Sequence, residues 1–83
     1  MKITLRLFAT LRAYSPPGAK NGEIEYEVAE GTTPRQVIEQ LGIPMNIASL
    51  VMIDGRHQTA SEVEKRVLME GQTLAIAPPI AGG

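Results

Sequence analysis

The chain opens on strict alternation. In "KITLRLFA", Ile3, Leu5 and Leu7 fall on one side and Lys2, Thr4 and Arg6 on the other, the period-2 signature of a strand with one face buried. "EIEYEV" repeats the pattern, with Ile24, Tyr26 and Val28 against Glu23, Glu25 and Glu27. Between the two runs, "ATLRAYSPPGAKNG" leaves room for a short helical turn at 9–13 and then a Pro/Gly-rich loop. Lys20-Asn21-Gly22 supplies a turn, so the two strands are expected to form a hairpin with a long connection. The period then lengthens to that of a helix in "GTTPRQVIEQLGIP". There Thr32 or Thr33 offers an N-cap oxygen, Pro34 takes the first helical position, Val37, Ile38 and Leu41 share a face, and Gly42 and Pro44 end the run. "SLVMIDGRHQ" carries the apolar stretch from Leu50 to Ile53 into Asp54-Gly55, a pair suited to a tight hairpin turn, which predicts a strand and a short return strand. Ser61, with Glu64 three residues on, reads as the cap of a single helical turn. "VLMEGQTLAIA" turns at Glu70-Gly71 and ends in a strand, with Leu74 and Ile76 on one face and Thr73, Ala75 and Ala77 on the other.

One main helix cannot cover both faces of a four- to five-stranded mixed sheet. The pattern therefore predicts a two-layer α+β fold with the helix on one face. Length and composition narrow what such a fold can do. A chain of 83 residues points to a single domain, which at this size buries about 60–65% of its unfolded surface, enough for one modest core but not for a deep, dry active site. Eight basic and nine acidic residues, net −1, form no basic stripe, which argues against nucleic acid. Without cysteine there are no disulfides and no thiolate metal ligands. Arg6 and Arg12 interrupt the first apolar run, so a signal peptide is not expected there. No stretch approaches the roughly 18 apolar residues of a membrane span. The expected location is the cytoplasm, with no membrane and no cofactor.

Catalytic constellations are sparse. His57 is the only histidine and follows the Asp54-Gly55 turn, the place of a solvated hairpin residue. Ser15, Ser49 and Ser61 sit in loop or capping contexts, and no G-x-S-x-G elbow occurs. A zinc site lacks cysteine and a second histidine, and no glycine-rich phosphate loop is present. Glu23, Glu25 and Glu27 line one strand face, which suits a solvated acidic surface or docking to a basic partner rather than a metal. Met45, Met52 and Met69 are expected to fill gaps in the core.

The ending "PPIAGG" is different in kind. Pro78 and Pro79 hold a chain extended, since each ring fixes φ. Ile80 and Ala81 lead into Gly82 and Gly83, which lack a Cβ and let a backbone approach another surface closely. Such a tail could thread a narrow channel and present a terminal carboxylate inside another protein. A frayed end has the same composition, so composition leaves both open. Phe8, the Leu50 to Ile53 run, Ala75 and Ala77 offer more apolar surface than one helix can cover. That excess fits either an interface or additional core.

Together these stretches resemble the β-grasp sulfur carriers, ubiquitin-like proteins that end in Gly-Gly, and within them the small subunit of molybdopterin synthase. "LFATLRAY" is similar to that family's first strand and its F-A-x-L-R segment, "IDGRH" to its mid-chain hairpin, and "LMEGQTLAIAPPIAGG" to its ending. The resemblance implies a ubiquitin-like β-grasp domain over 1–77 and an extended, flexible tail over 78–83. It implies that the Gly83 carboxylate is adenylated by an ATP-dependent enzyme of the ubiquitin-activating type. A sulfur donor, such as a cysteine desulfurase or rhodanese, then converts it to a thiocarboxylate. The tail residues Pro78, Pro79, Ile80, Ala81 and Gly82 would enter the large subunit of molybdopterin synthase, with Phe8, Ala75 and Ala77 as a partner-facing surface. Two positions depart from that subfamily: Ala77 stands where an aromatic residue is common, and Glu70-Gly71-Gln72 replaces an Asp-Gly-Asp turn. Both bear on the pterin destination rather than on the carrier role. Carriers for thiamine thiazole, tRNA thiolation or cysteine synthesis, and ubiquitin-like modifiers, share the same tail chemistry.

Overall fold

The computed structural model describes residues 1–79. The strands are β1 (Lys2–Leu7), β2 (Glu23–Glu27), β3 (Leu50–Ile53), β4 (Arg56–His57) and β5 (Thr73–Ala77); the helices are α1 (Pro34–Leu41) and α2 (Ala60–Lys65). Two 3₁₀ segments, Ala9–Tyr14 and Met45–Ile47, complete the secondary structure. The strands form one five-stranded sheet in the order β2-β1-β5-β3-β4. β1 pairs antiparallel with β2 and parallel with β5, while β5 and β4 pair antiparallel with β3. The predicted long-connection hairpin and the mixed two-layer sheet are both present.

Local chemistry accounts for the element ends. Thr33, not Thr32, caps α1: its hydroxyl accepts from the Gln36 N–H at 3.4 Å, and its own N–H donates to Gln36 Oε1 at 3.0 Å. Thr32 instead is buried and donates its hydroxyl to the Ala29 carbonyl at 2.6 Å. Gly42 closes α1 in the left-handed conformation at φ 78°. Asp54 and Gly55 both have positive φ, 51° and 79°, which makes a two-residue hairpin between Ile53 and Arg56. The Asp54 carboxylate then accepts from the Thr73 N–H at 2.8 Å and ties that turn to the start of β5.

One expectation needs correction here. Ser61 does not cap the second helix. α2 begins two residues earlier, with Thr59 as cap. Its hydroxyl accepts from the Glu62 N–H at 3.2 Å, and its N–H donates to Glu62 Oε1 at 2.8 Å. The Gln58 N–H is still bonded to the Val51 carbonyl, so the chain leaves the sheet at 58 and the first residue free to cap is Thr59.

The core lies between the sheet and α1. Ile3, Leu5, Leu7, Leu74 and Ile76 pack there against Val37 and Ile38, none of them more than 1% exposed. Leu11, Val63 and Leu68 close its margins. The methionines do not fill it: Met45 and Met69 are 37% and 63% exposed, and Met52 is only half-buried. The branched residues on the strands and α1 already complete the packing, and the methionines fall on surface turns and on the opposite sheet face.

Candidate functional site

The sheet face without a helix can be read row by row from the register, because residues directly opposite share a face. At one end Glu25 lies opposite Thr4, and Thr4 opposite Thr73. The next row runs Glu23, Arg6, Ala75, Met52 and His57. The last row is Phe8, Ala77 and Leu50: Leu50 pairs with Ala77, and Phe8 continues β1 with its N–H on the Ile76 carbonyl at 3.1 Å. The face therefore grades from charged at the β1–β2 corner to apolar where β5 ends.

That apolar end is where the chain leaves the sheet. The half-buried Ala77 is followed by Pro78 and Pro79. Phe8, Ala9, Ile47, Ala77 and the two prolines border an open groove of about 540 Å³. Phe8 is held from the other side: the Arg6 guanidinium sits 5.3 Å from its ring centroid, and Arg6 Nε is 3.2 Å from a Glu23 carboxylate oxygen. The cation, itself paired with the carboxylate, thus covers the ring from the charged side, and the ring also borders the groove. Ala9 supports the corner at φ 52°, an uncommon angle for a residue with a Cβ.

Of the three residues expected to form a partner-facing surface, Phe8 and Ala77 are half-exposed on this face. Ala75 shares the face but is only 7% exposed. Its methyl lies between the longer side chains of Arg6 and Met52, so it floors the surface rather than presenting itself. Leu50 and Met52, half-buried on the same face, complete the patch. The run from Leu50 to Ile53 splits by period 2, with Val51 and Ile53 in the core. Of the tail, Ile80, Ala81, Gly82 and Gly83 lie outside the described residues.

The other polar groups do not converge. His57 is exposed and borders a groove of about 660 Å³ with Ser49, Ser61 and Glu64, with no second base or nucleophile bonded to it among the described residues. No group of three or more His, Asp or Glu gathers at metal-binding distance among the described residues, and no helix there is long and apolar enough to cross a membrane. The Glu62 carboxyl is displaced from its ordinary value. Backbone hydrogen bonding from Thr59, and then Arg66 at 2.7 Å, hold it below its usual value of 4.5. That is a capping arrangement, not an acid–base device.

This architecture is shared by solved structures. The HVO 2177 protein of Haloferax volcanii superposes with a TM-score of 0.77 at 25% identity, over 100% of this chain and 87% of that one. SAMP1 of the same organism matches at 0.68 and 18% identity over the whole of both chains. A Pyrococcus furiosus protein provisionally assigned as molybdopterin converting factor subunit 1 matches at 0.63 and 22%, over 95% of this chain and 98% of that one. These likenesses show a ubiquitin-like β-grasp fold. No curated protein sequence matches the chain. A family model does, over residues 1–81, and by that match the chain belongs to the Mut7-C ubiquitin family.

Proposed function

We propose that this protein is a sulfur carrier, built of a β-grasp body over residues 1–77 and a working tail over 78–83. The Gly83 carboxylate attacks the α-phosphate of ATP on an activating enzyme of the ubiquitin-activating type and releases pyrophosphate. A carboxylate is a poor electrophile; its mixed anhydride with AMP has a good leaving group. The persulfide of a sulfur donor such as a desulfurase or rhodanese then displaces AMP to give an acyl disulfide. A thiol reductant cleaves its S–S bond, becoming a disulfide with the donor's thiol and leaving the thiocarboxylate. Docking to the large subunit of molybdopterin synthase delivers that sulfur to a pterin precursor. The partners supply the catalytic side chains.

One observation carries this reading: the central strand β5 delivers the chain to Pro78-Pro79 beside an apolar face that no helix covers. A tail rooted in the middle of a sheet has a rigid base, and the neighbouring apolar patch gives a partner something to hold while the tail is threaded. Similarity to a protein provisionally assigned as a molybdopterin converting factor subunit supports the pterin destination. The family's own description, a ubiquitin, favours a second reading in which Gly83 is joined to lysines of target proteins.

Intact mass of the protein purified from its own cells under non-hydrolysing conditions separates the two. A species heavier by the difference between sulfur and oxygen, localised to Gly83 by fragmentation, is the expected result. Isopeptide-linked species of higher mass would support the modifier. A plain carboxylate alone, even after incubation with ATP, a sulfur donor and the cell's activating enzymes, would remove the carrier.

A further inference from the structure

We propose that the outer edge of β2 is a second docking site, which takes an extended segment of a partner protein with lysine or arginine at every other residue as an added sixth strand. β2 ends the sheet. Its backbone polarity follows from the bonds at its two ends: the Leu7 N–H donates to the Gly22 carbonyl and the Val28 N–H to the Met1 carbonyl, each at 2.8 Å. By alternation, Gly22, Ile24, Tyr26 and Val28 direct their amides to β1, and Glu23, Glu25 and Glu27 direct theirs outward. Lys20 satisfies Glu23 through reciprocal bonds of 3.0 Å. Among the described residues the outward N–H and C=O of Glu25 and Glu27 have no backbone partner, which leaves an open ladder two residues long.

The side chains define the occupant. All three glutamates lie on the helix-free face, and their neutralisation is uneven. Glu23 pairs with Arg6 at 3.2 Å, and Glu27 lies 3.4 Å from the N-terminal ammonium. Glu25 faces Thr4 and has no ion pair among the described residues. A second copy of β2 on this edge would set carboxylates against carboxylates, so the edge resists self-pairing. A strand with cations on the same face would instead oppose Glu25 and its neighbours with charges of the right sign. On the other face Ile24 and Tyr26 are half-buried against the core, and the Tyr26 hydroxyl donates to Gln40 on α1 at 3.3 Å. They form a shelf for the apolar residues that alternate with the cations. Main-chain bonds then hold the segment and alternate side chains select it, as in strand addition generally. The site uses neither the apolar patch where β5 ends nor Gly83, so it stands or falls apart from the carrier reading.

The probe is a capped peptide of alternating lysine and valine, titrated into the isotopically labelled full chain. The expected result is saturable shifts of the Glu25 and Glu27 amides, with an all-glutamate counterpart inert. Glu25→Lys should weaken binding about tenfold or more, as one attraction becomes a repulsion. Glu25→Pro should abolish it while the ladder to β1 persists, since the removed N–H faces outward, and Glu25→Gln should keep the mode at lower affinity. A peptide N-methylated on its pairing face tests the same bond with the protein unaltered, and should not bind. Absence of saturable shifts on β2, or equal binding by the N-methylated peptide, would overturn the proposal.

Discussion

At the residue scale, single backbone positions decide more than side-chain chemistry does. Gly22 has φ +78°, and a Cβ built there would lie 2.1 Å from the Leu7 carbonyl oxygen and 3.2 Å from its carbon. Both atoms are backbone of the neighbouring strand, so nothing can give way cheaply. Gly22→Ala should cost about 2–4 kcal/mol, read as a lower denaturant midpoint in urea at unchanged slope. An unchanged midpoint would mean that the β1–β2 connection is slack. Gly83→Ala and Gly82→Ala should do the reverse. Under the carrier reading they leave melting untouched and slow adenylation, because a methyl obstructs close approach to the activating enzyme. Adenylation at the native rate would reject that role for the tail.

The elements are held by reciprocal caps that link charge to stability. Glu62 serves α2 twice, through the N–H of its cap residue Thr59 and through Arg66 one turn on. Its folded-state carboxyl lies below the ordinary 4.5. A depressed folded pKa means that the unfolded chain binds the proton more readily. The contribution is therefore complete above about pH 4.5 and is lost as pH falls through the lowered folded value. Glu62→Gln should flatten that acid limb of the stability curve and change its height only modestly near neutrality, because the group is half-exposed and its charge is screened by solvent. Thermal melts across the acid range check this; a variant with the parent's acid limb would place the dependence elsewhere.

For the whole molecule, the two faces of β5 have opposite duties. Leu74 is fully buried between the sheet and α1, so Leu74→Ala should lose about 2–5 kcal/mol by leaving a cavity. Met52, on the helix-free face beside Ala75, faces a partner in the carrier reading. Met52→Glu should keep the fold by circular dichroism and melting, and raise the KM for the activating enzyme about tenfold, as a charge enters an apolar contact. An unchanged KM would move the docking surface off this face.

Much of this was legible in the chain because it depends on near neighbours. The alternation of β1 and β2, the helix bounded by Thr33, Pro34 and Gly42, and the Asp54-Gly55 turn each follow from residues within a few positions of one another. The caps were legible as well: Thr33 with Gln36 and Thr59 with Glu62 both have the spacing of the capping boxes that form, although Thr32 stood open beside Thr33 and Ser61 was expected as the second cap. The tail's composition was equally visible, but its root was not. Only the tertiary structure sets β5 between β1 and β3, parallel to one and antiparallel to the other, and so brings Phe8 and Leu50 to either side of Ala77. Burial was likewise decided there: Ala75 sinks between Arg6 and Met52, and Met45 and Met69 stay outside a core that branched residues had filled. Sequence determines local conformation because dihedral preference and hydrogen-bond capping act over one or two turns. Long-range packing decides which face is covered and which is left open, because that depends on which strands meet.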